Sequence, residues 1–312
     1  MNKVTDIKNI LEKVYLPQSG YVLRECCGYY WGRGCSGELV FGFPTKNQNI
    51  NTLNQSTRHL KLYINDDFDV DIKGVLDNRK MTLLILKSTS NKHSDMFIRV
   101  ILSMLDNLNE EILLKHFLEL KDLFSNDEKM SKDELEGKFG ELFSMYMLKI
   151  NYGIDICTYY QKEDRRKFDF NLSDKKKIEV KTTIKTERIH HFLQQQLDTD
   201  RYDIRVISIM LQKDDAGMSL LNLIDECKDL FSNYFPLVIH IERILKSIDE
   251  EELDNLKFNY EYAKDHLKIY DALKLPRLKE KDIEGVFNVE YDVDFINSSH
   301  ESIGKFAEWL KK

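Results

Sequence analysis

Arg165-Arg-Lys-Phe-Asp169-Phe-Asn-Leu-Ser-Asp-Lys-Lys-Lys-Ile-Glu179-Val-Lys181-Thr-Thr183 is the stretch whose reading decides the fold. Side chains alternate between faces along a strand, so the pattern predicts Phe168 and Phe170 on one face and Asp169 on the other. The same parity turns Ile178 and Val180 inward and projects Glu179 and Lys181 together. Residues 173–177, Ser-Asp-Lys-Lys-Lys, supply the polar turn of a hairpin. That hairpin brings Asp169 alongside the face carrying Glu179 and Lys181.

Two carboxylates and an ammonium on one face are what metal-dependent phosphodiester hydrolysis needs. Carboxylate oxygens suit Mg²⁺, which keeps several waters and takes few protein ligands. Lys181 is placed to orient an attacking water and to share the charge that develops on the phosphorus. Upstream, Ser131 and Glu134 give a capping-box signal for a helix over 132–149. Along it Glu134, Gly137 and Glu141 recur at i, i+3 and i+7 and share a face, with the glycine expected to permit close approach. Glu141 is the first choice for an additional acid and Glu134 the second. Downstream, a helix over 189–198 and a strand over 204–211 complete an α/β alternation, with a further strand expected over 154–159.

These residues resemble the PD-(D/E)XK nuclease superfamily, Asp169 standing in the first acidic position and Glu179-Val-Lys181 in the second. Arg188-Ile-His190-His191-Phe-Leu-Gln-Gln-Gln196-Leu is similar to the Arg-x-His and Gln-Leu signature of a bacterial family known as PD-(D/E)XK motif proteins, associated with restriction operons. The resemblance is strongest over 132–212, with weaker similarity at Tyr30-Trp-Gly-Arg-Gly34 and Leu275-Pro-Arg-Leu278. It implies a restriction-endonuclease-like core, a mixed sheet flanked by helices, making the chain α/β in its core and α+β overall. It also implies Asp169, Glu179 and Glu141 as metal ligands, with Mg²⁺ bound and Mn²⁺ as its substitute. Asp169, Glu179, Lys181, Glu141 and Gln196 are then the catalytic set, Gln196 bonding the water network or the catalytic lysine. Arg165, Arg166, Lys185, Arg188 and His190 are the candidate DNA contacts. The implied partners are double-stranded DNA, a second copy of the chain, and the DNA methyltransferase and ATPase of such operons. One departure is Lys167, which stands at or near the place of the superfamily's named proline.

The rest of the chain frames this core. Residues 1–125 read as a β-rich lobe, with an opening helix over 3–15, short strand-like runs between 21 and 87, and a helical period from 95 to 124. Residues 126–215 hold the core. Residues 216–312 carry two amphipathic helices, strand-like pieces at 258–262, 267–270 and 287–295, and a terminal helix. Five scattered cysteines argue for reduced thiols and against a disulfide framework or a zinc site. No apolar run reaches the ~18–20 residues of a membrane span and the N-terminus lacks a signal peptide's pattern, so a cytoplasmic location is expected.

The 312 residues carry 53 acids against 46 Lys and Arg, a formal net charge of −7. Binding to a polyanion through bulk charge is excluded, and any such contact needs a local patch. Lys162, Arg165, Arg166, Lys167, Lys175, Lys176, Lys177, Lys181, Lys185 and Arg188 crowd the central stretch. Charged residues make up 32% of the chain, so Glu-x-Lys alone would recur by chance on surface strands. A solvated hairpin with a surface ion pair, or a nuclease-fold scaffold without catalysis, gives the same letters. Trp31 reads as core packing ahead of base stacking.

Overall fold

The computed structural model describes residues 3–26, 28–47, 49–72, 75–125, 129–160, 167–278 and 286–311. The chain divides into two compact units, Met1–Glu128 and Lys129–Lys312.

The first unit runs α1 (Lys3–Glu12), β1 (Tyr21–Cys26), β2 (Tyr29–Gly34), β3 (Leu39–Pro44), β4 (Leu53–Ser56), β5 (Leu60–Ile72), β6 (Val75–Leu86), α2 (Asn91–Met104) and α3 (Glu110–Ser125). Its six strands form one sheet in the order β1-β2-β3-β6-β5-β4, every neighbour antiparallel. The central strand β3 has no polar–apolar alternation. Leu39, Val40, Phe41 and Phe43 are all buried, as a strand covered on both faces requires. Trp31 is fully buried against Phe41, which excludes it as a stacking platform. The helical period over 95–124 resolves into two helices, separated by a short 3-10 turn at Leu105–Asn107.

The second unit runs α4 (Lys132–Tyr152), β7 (Phe170–Asn171), β8 (Lys176–Thr183), β9 (Ile189–Leu193), β10 (Asp203–Met210), β11 (Lys213–Ser219), α5 (Leu220–Phe231), α6 (Phe235–Ser247), α7 (Glu250–Asn255), β12 (Lys257–Phe258), α8 (Tyr260–Asp265), β13 (Leu267–Asp271), β14 (Glu290–Asp294) and α9 (Ile303–Lys311). A mixed four-stranded sheet, β13-β10-β8-β7, is its centre, with β8 and β10 parallel and both outer pairs antiparallel. Strand β10 is buried on both faces, and its alternate residues feed two cores. Ile207 and Ile209 pack with α4, α5, α6 and α9, while Ile204 and Val206 join Phe192, Tyr270, Val293 and Phe295. The mixed α+β architecture with a helix-flanked mixed sheet agrees with the sequence reading. The segments 126–215 and 216–312 share these cores: β13 pairs with β10, and Phe306 and Trp309 of α9 pack in the cluster of α4.

Three expected elements differ. Residues 154–159 hold a 3-10 turn, Cys157–Tyr159, where Asp155 Oδ1 accepts from Cys157 N and bends the chain out of the strand path. Residues 189–198 form strand β9 and a 3-10 turn, Gln194–Leu197, in place of a helix. His190 and Phe192 are buried while His191 and Leu193 are exposed, a period of two that serves the pairing of β9 with β14. Residues 258–262 give β12 and then α8, whose N-cap Asn259 accepts from Tyr262 N and starts a helix where a strand was expected. Strand β11, polar along most of its length, was not anticipated.

Among the described residues no helix is long and apolar enough to cross a membrane. Cys26, Cys35, Cys157 and Cys227 are free thiols, and Cys27 lies outside the described residues.

Candidate active site

Helix α4 is fixed at both ends before it presents a side chain. Ser131 Oγ accepts from Glu134 N, and the Glu134 carboxylate returns to Ser131 N at 2.7 Å, a full capping box. Gly153 closes the helix at φ 67°, in the left-handed region that a side chain disfavours. Glu134 is therefore committed to the cap, and its exposed carboxylate is not part of the site. A Cβ on Gly137 would meet nothing within 4 Å, so the expected close approach is not made there. It is made one turn later. A Cβ on Gly140 would collide with Thr182 Cγ2, so this glycine lets α4 settle directly on β8.

Glu141, the next residue, is buried and held at both oxygens. Lys138 Nζ donates to Oε1 at 2.7 Å, and the Tyr160 hydroxyl donates to Oε2 at 2.6 Å. Tyr160 is itself fully buried, its ring edge-on to His240, whose Nε2 lies 3.8 Å from the same Glu141 oxygen. Sequence reading missed Tyr160 and Lys138. For Lys138 the i, i+3 spacing to Glu141 was an available signal; for Tyr160 there was none, since the two residues meet only through the fold.

Asp169 reaches the site differently from expectation. Only Phe170 and Asn171 are strand, paired with Ile178 and Lys177, so alternation does not extend back to Phe168. Phe170 packs in the core of α4 while Phe168 packs with Phe192 and Ile204 in the other core. The chain turns at Asp169, whose Oδ2 accepts from Val180 N at 2.7 Å, next to the end of the short β7–β8 ladder. The β8 parity holds: Ile178 and Val180 enter the core of α4, and Glu179 and Lys181 share the opposite parity.

Glu179 Oε1 accepts from Lys181 Nζ at 2.8 Å and from Gln196 Nε2 at 2.6 Å. Gln196 Oε1 in turn accepts from Lys181 Nζ at 3.0 Å and from Leu193 N at 3.1 Å. With a carboxylate on one end of this amide and two N–H donors on the other, only one orientation of Gln196 satisfies all three groups. Glutamine, carboxylate and ammonium thus close a triangle, and Lys181 Nζ lies 4.9 Å from the centre of the Phe192 ring. Glu179 Oε2 is buried without a hydrogen-bond partner.

The electrostatics follow from this crowding. Burial, then the charges of Glu179 and Glu141, hold the Asp169 carboxyl well above its ordinary range, against the pull of Lys138 and Val180 N. Burial pushes Glu179 up to about 7, with Lys181 opposing and Glu141 adding. Such a site favours a cation. Among the described residues no group of three or more His, Cys, Asp and Glu is arranged to hold a metal by itself. An orphaned carboxylate oxygen within the field of two further carboxylates does fit a hard divalent cation that keeps much of its water.

The expected DNA contacts separate into three groups. Arg165 and Arg166 lie outside the described residues. Lys185 is exposed. Arg188 and His190 are corrections: the Arg188 guanidinium donates to Ser208 O, Ser208 Oγ and His266 O at 2.6–2.9 Å, and His190 is buried with Nε2 2.7 Å from Ser208 Oγ. Burial, with Arg188 and Lys181 nearby, depresses His190 to about 3, so it is neutral and turned inward, unable to meet a phosphate. His191 is exposed and lies between Asp292 and Glu290 at 3.0 and 3.2 Å, paired across the β9–β14 ribbon.

A family model described as "Putative PD-(D/E)XK family member (DUF4420)" matches residues 28–295, which span this site. No curated protein and no solved structure matches the chain.

Proposed function

The chain belongs to the PD-(D/E)XK family whose model it matches over residues 28–295, and from that premise we propose that it is a divalent-metal-dependent DNA endonuclease of a bacterial restriction or phage-defence system. The observation that carries the reading is the buried, unpartnered Oε2 of Glu179, on the carboxylate whose other oxygen holds Lys181 and Gln196.

Asp169 and Glu179 would hold the cation, Mg²⁺ or Mn²⁺ in its place, and Glu141 would add its negative field. When bound, such an ion polarises the scissile phosphoryl oxygen and makes water more acidic at neutral pH. The protein's own groups do the rest. Lys181 spends two of its three N–H donors on Glu179 and Gln196 and keeps one with which it would orient an attacking water. Its charge then lies where negative charge accumulates as the phosphodiester is attacked. Gln196 keeps Lys181 and Glu179 in register. Tyr160 and Lys138 hold the Glu141 carboxylate in one orientation and prevent its swinging away.

Cutting both strands of a duplex requires two such sites, supplied by a second copy of the chain or by a partner subunit such as a methyltransferase or ATPase complex. Plasmid cleavage with Mg²⁺ tests the proposal, with Asp169→Ala and Lys181→Ala as controls. Both variants should lose cleavage, and equal behaviour of wild type and variants across substrates and salt conditions refutes the assignment. Calcium uptake that Glu179→Ala abolishes would separate an active metal site from a metal-free scaffold.

A further inference from the structure

Beside the Gln194–Leu197 turn lies a cavity of ≈ 420 Å³, walled by that turn and by residues 286–289. Its volume falls in the range of small-ligand sites, about 300–1,000 Å³. The two walls are tied where Gln194 N donates to Val289 O at 2.9 Å, just beyond the last pair of the β9–β14 ribbon, Leu193 with Glu290. Four apolar side chains at this cavity remain in water: Phe287 is 83% exposed, Leu278 49%, Val286 48% and Leu193 39%. Single exposed apolar residues are ordinary, whereas four around one concavity make an apolar surface of the kind that binding sites use. Asn288, next to Phe287, adopts φ 54°, in the left-handed region that asparagine tolerates.

We infer that this cavity receives an unpaired base of the DNA, with Phe287 as its stacking platform. The inference rests on the nuclease reading. Adjacency is the first argument: Gln195 lines the cavity, while its neighbour Gln196 bonds Glu179 and Lys181 in the candidate active site, so one turn of chain serves both. Rim chemistry is the second. The exposed amides of Gln195 and Asn288 each offer a donor and an acceptor, the pairing that the edge of a base requires, next to an aromatic face. The third is charge. Arg201 lies on the wall with its side chain 72% exposed, paired among the described residues with Asp198 of the same wall at 3.5 Å, a loose pair that a flanking phosphate would compete for. An apolar peptide would leave these amides and this guanidinium without a role.

A duplex carrying one unpaired 2-aminopurine, titrated with the protein in Ca²⁺ to prevent cleavage, reads the stack directly, because this base loses fluorescence when it stacks. The wild type should quench it and bind this duplex more tightly than a fully paired one. Phe287→Ala should abolish the quench and weaken binding by about 5- to 160-fold, the range one base–aromatic stack supplies. Phe287→Trp should keep both, and because Phe287 is exposed neither variant threatens the fold. Equal affinity for paired and unpaired duplexes, or an undiminished quench with Phe287→Ala, overturns the inference. Plasmid cleavage by Asp169→Ala keeps the two claims apart: Asp169-dependent cleavage without a quench leaves the nuclease and removes the base site, and a Phe287-dependent quench with Asp169-independent cleavage does the reverse.

Discussion

At the scale of single residues, the site depends on which groups are held and which are buried uncharged. Gln196 touches both Glu179 and Lys181 through opposite ends of one amide, so Gln196→Leu removes those two hydrogen bonds together with the ones to Leu193 N and Lys167 O. Groups that orient a metal ligand are commonly worth about 10–100-fold in affinity or activity. A loss of that size in single-turnover cleavage is expected, with a smaller change in Ca²⁺ uptake; an unchanged rate would remove Gln196 from the site. His190 gives a prediction independent of catalysis. Its folded pKa of about 3 lies below the ordinary 6.5, so between these values the unfolded chain binds a proton that the folded chain refuses. Stability is therefore full above pH 6.5 and falls as pH drops toward about 3, by as much as a few kcal/mol. Urea unfolding at pH 7, 6, 5 and 4 should show a shallower decline for His190→Gln, which keeps a hydrogen-bonding amide beside Ser208. An identical slope in variant and wild type would mean that His190 titrates normally.

At the scale of elements, the close approach of α4 to β8 sets the position of Glu141, and Gly140 permits it. Alanine would gain about 1 kcal/mol of helix propensity over glycine, while a Cβ driven into Thr182 costs about 1–3 kcal/mol. Gly140→Ala should be destabilising on balance in urea unfolding, and Thr182→Ala in the same chain should recover part of the loss. Simple additivity of the two changes would show that the helix does not rest on Thr182. The same elements show what the sequence made legible. The capping box at Ser131 and Glu134, the parity of β8 and the strand over 204–211 are readable because each depends on neighbours in the chain or on an unbroken apolar run. Strand β9 reads as a helix in sequence because Ile-His-His-Phe-Leu lacks a clean apolar period; its alternation appears only once β14 pairs with it, about 100 residues on. The partnership of Tyr160 with Glu141 was invisible for the same reason. Asp169 was correctly linked to β8, but by a bend and a hydrogen bond to Val180 N in place of the regular strand that was anticipated.

At the scale of the whole molecule, the net charge of −7 and the basic run around 162–188 pull in opposite directions, and among the described residues of that run several cations are already engaged inside the fold. Lys176 donates to Trp309 O at 2.7 Å and lies over the Trp309 ring, Lys177 is buried over Tyr202, and Arg188 is spent on three acceptors of Ser208 and His266. Lys167, Lys175 and Lys185 are exposed. Each phosphate that a protein neutralises contributes about −0.9 to the slope of log K against log salt. Three lysines thus account for a slope of about −3, where ten basic residues counted from the sequence would give about −9. Duplex affinity measured in Ca²⁺ across a salt series should lose roughly 0.9 of slope for each of Lys167→Ala, Lys175→Ala and Lys185→Ala. Lys177→Ala and Arg188→Ala should leave the slope where it is and lower stability instead, because their cations serve the inside of the fold. A slope that falls equally for the buried and exposed sets would mean that the DNA reorganises the β8–β9 region on binding, and a slope that the exposed lysines leave unchanged would remove their claim to the contact.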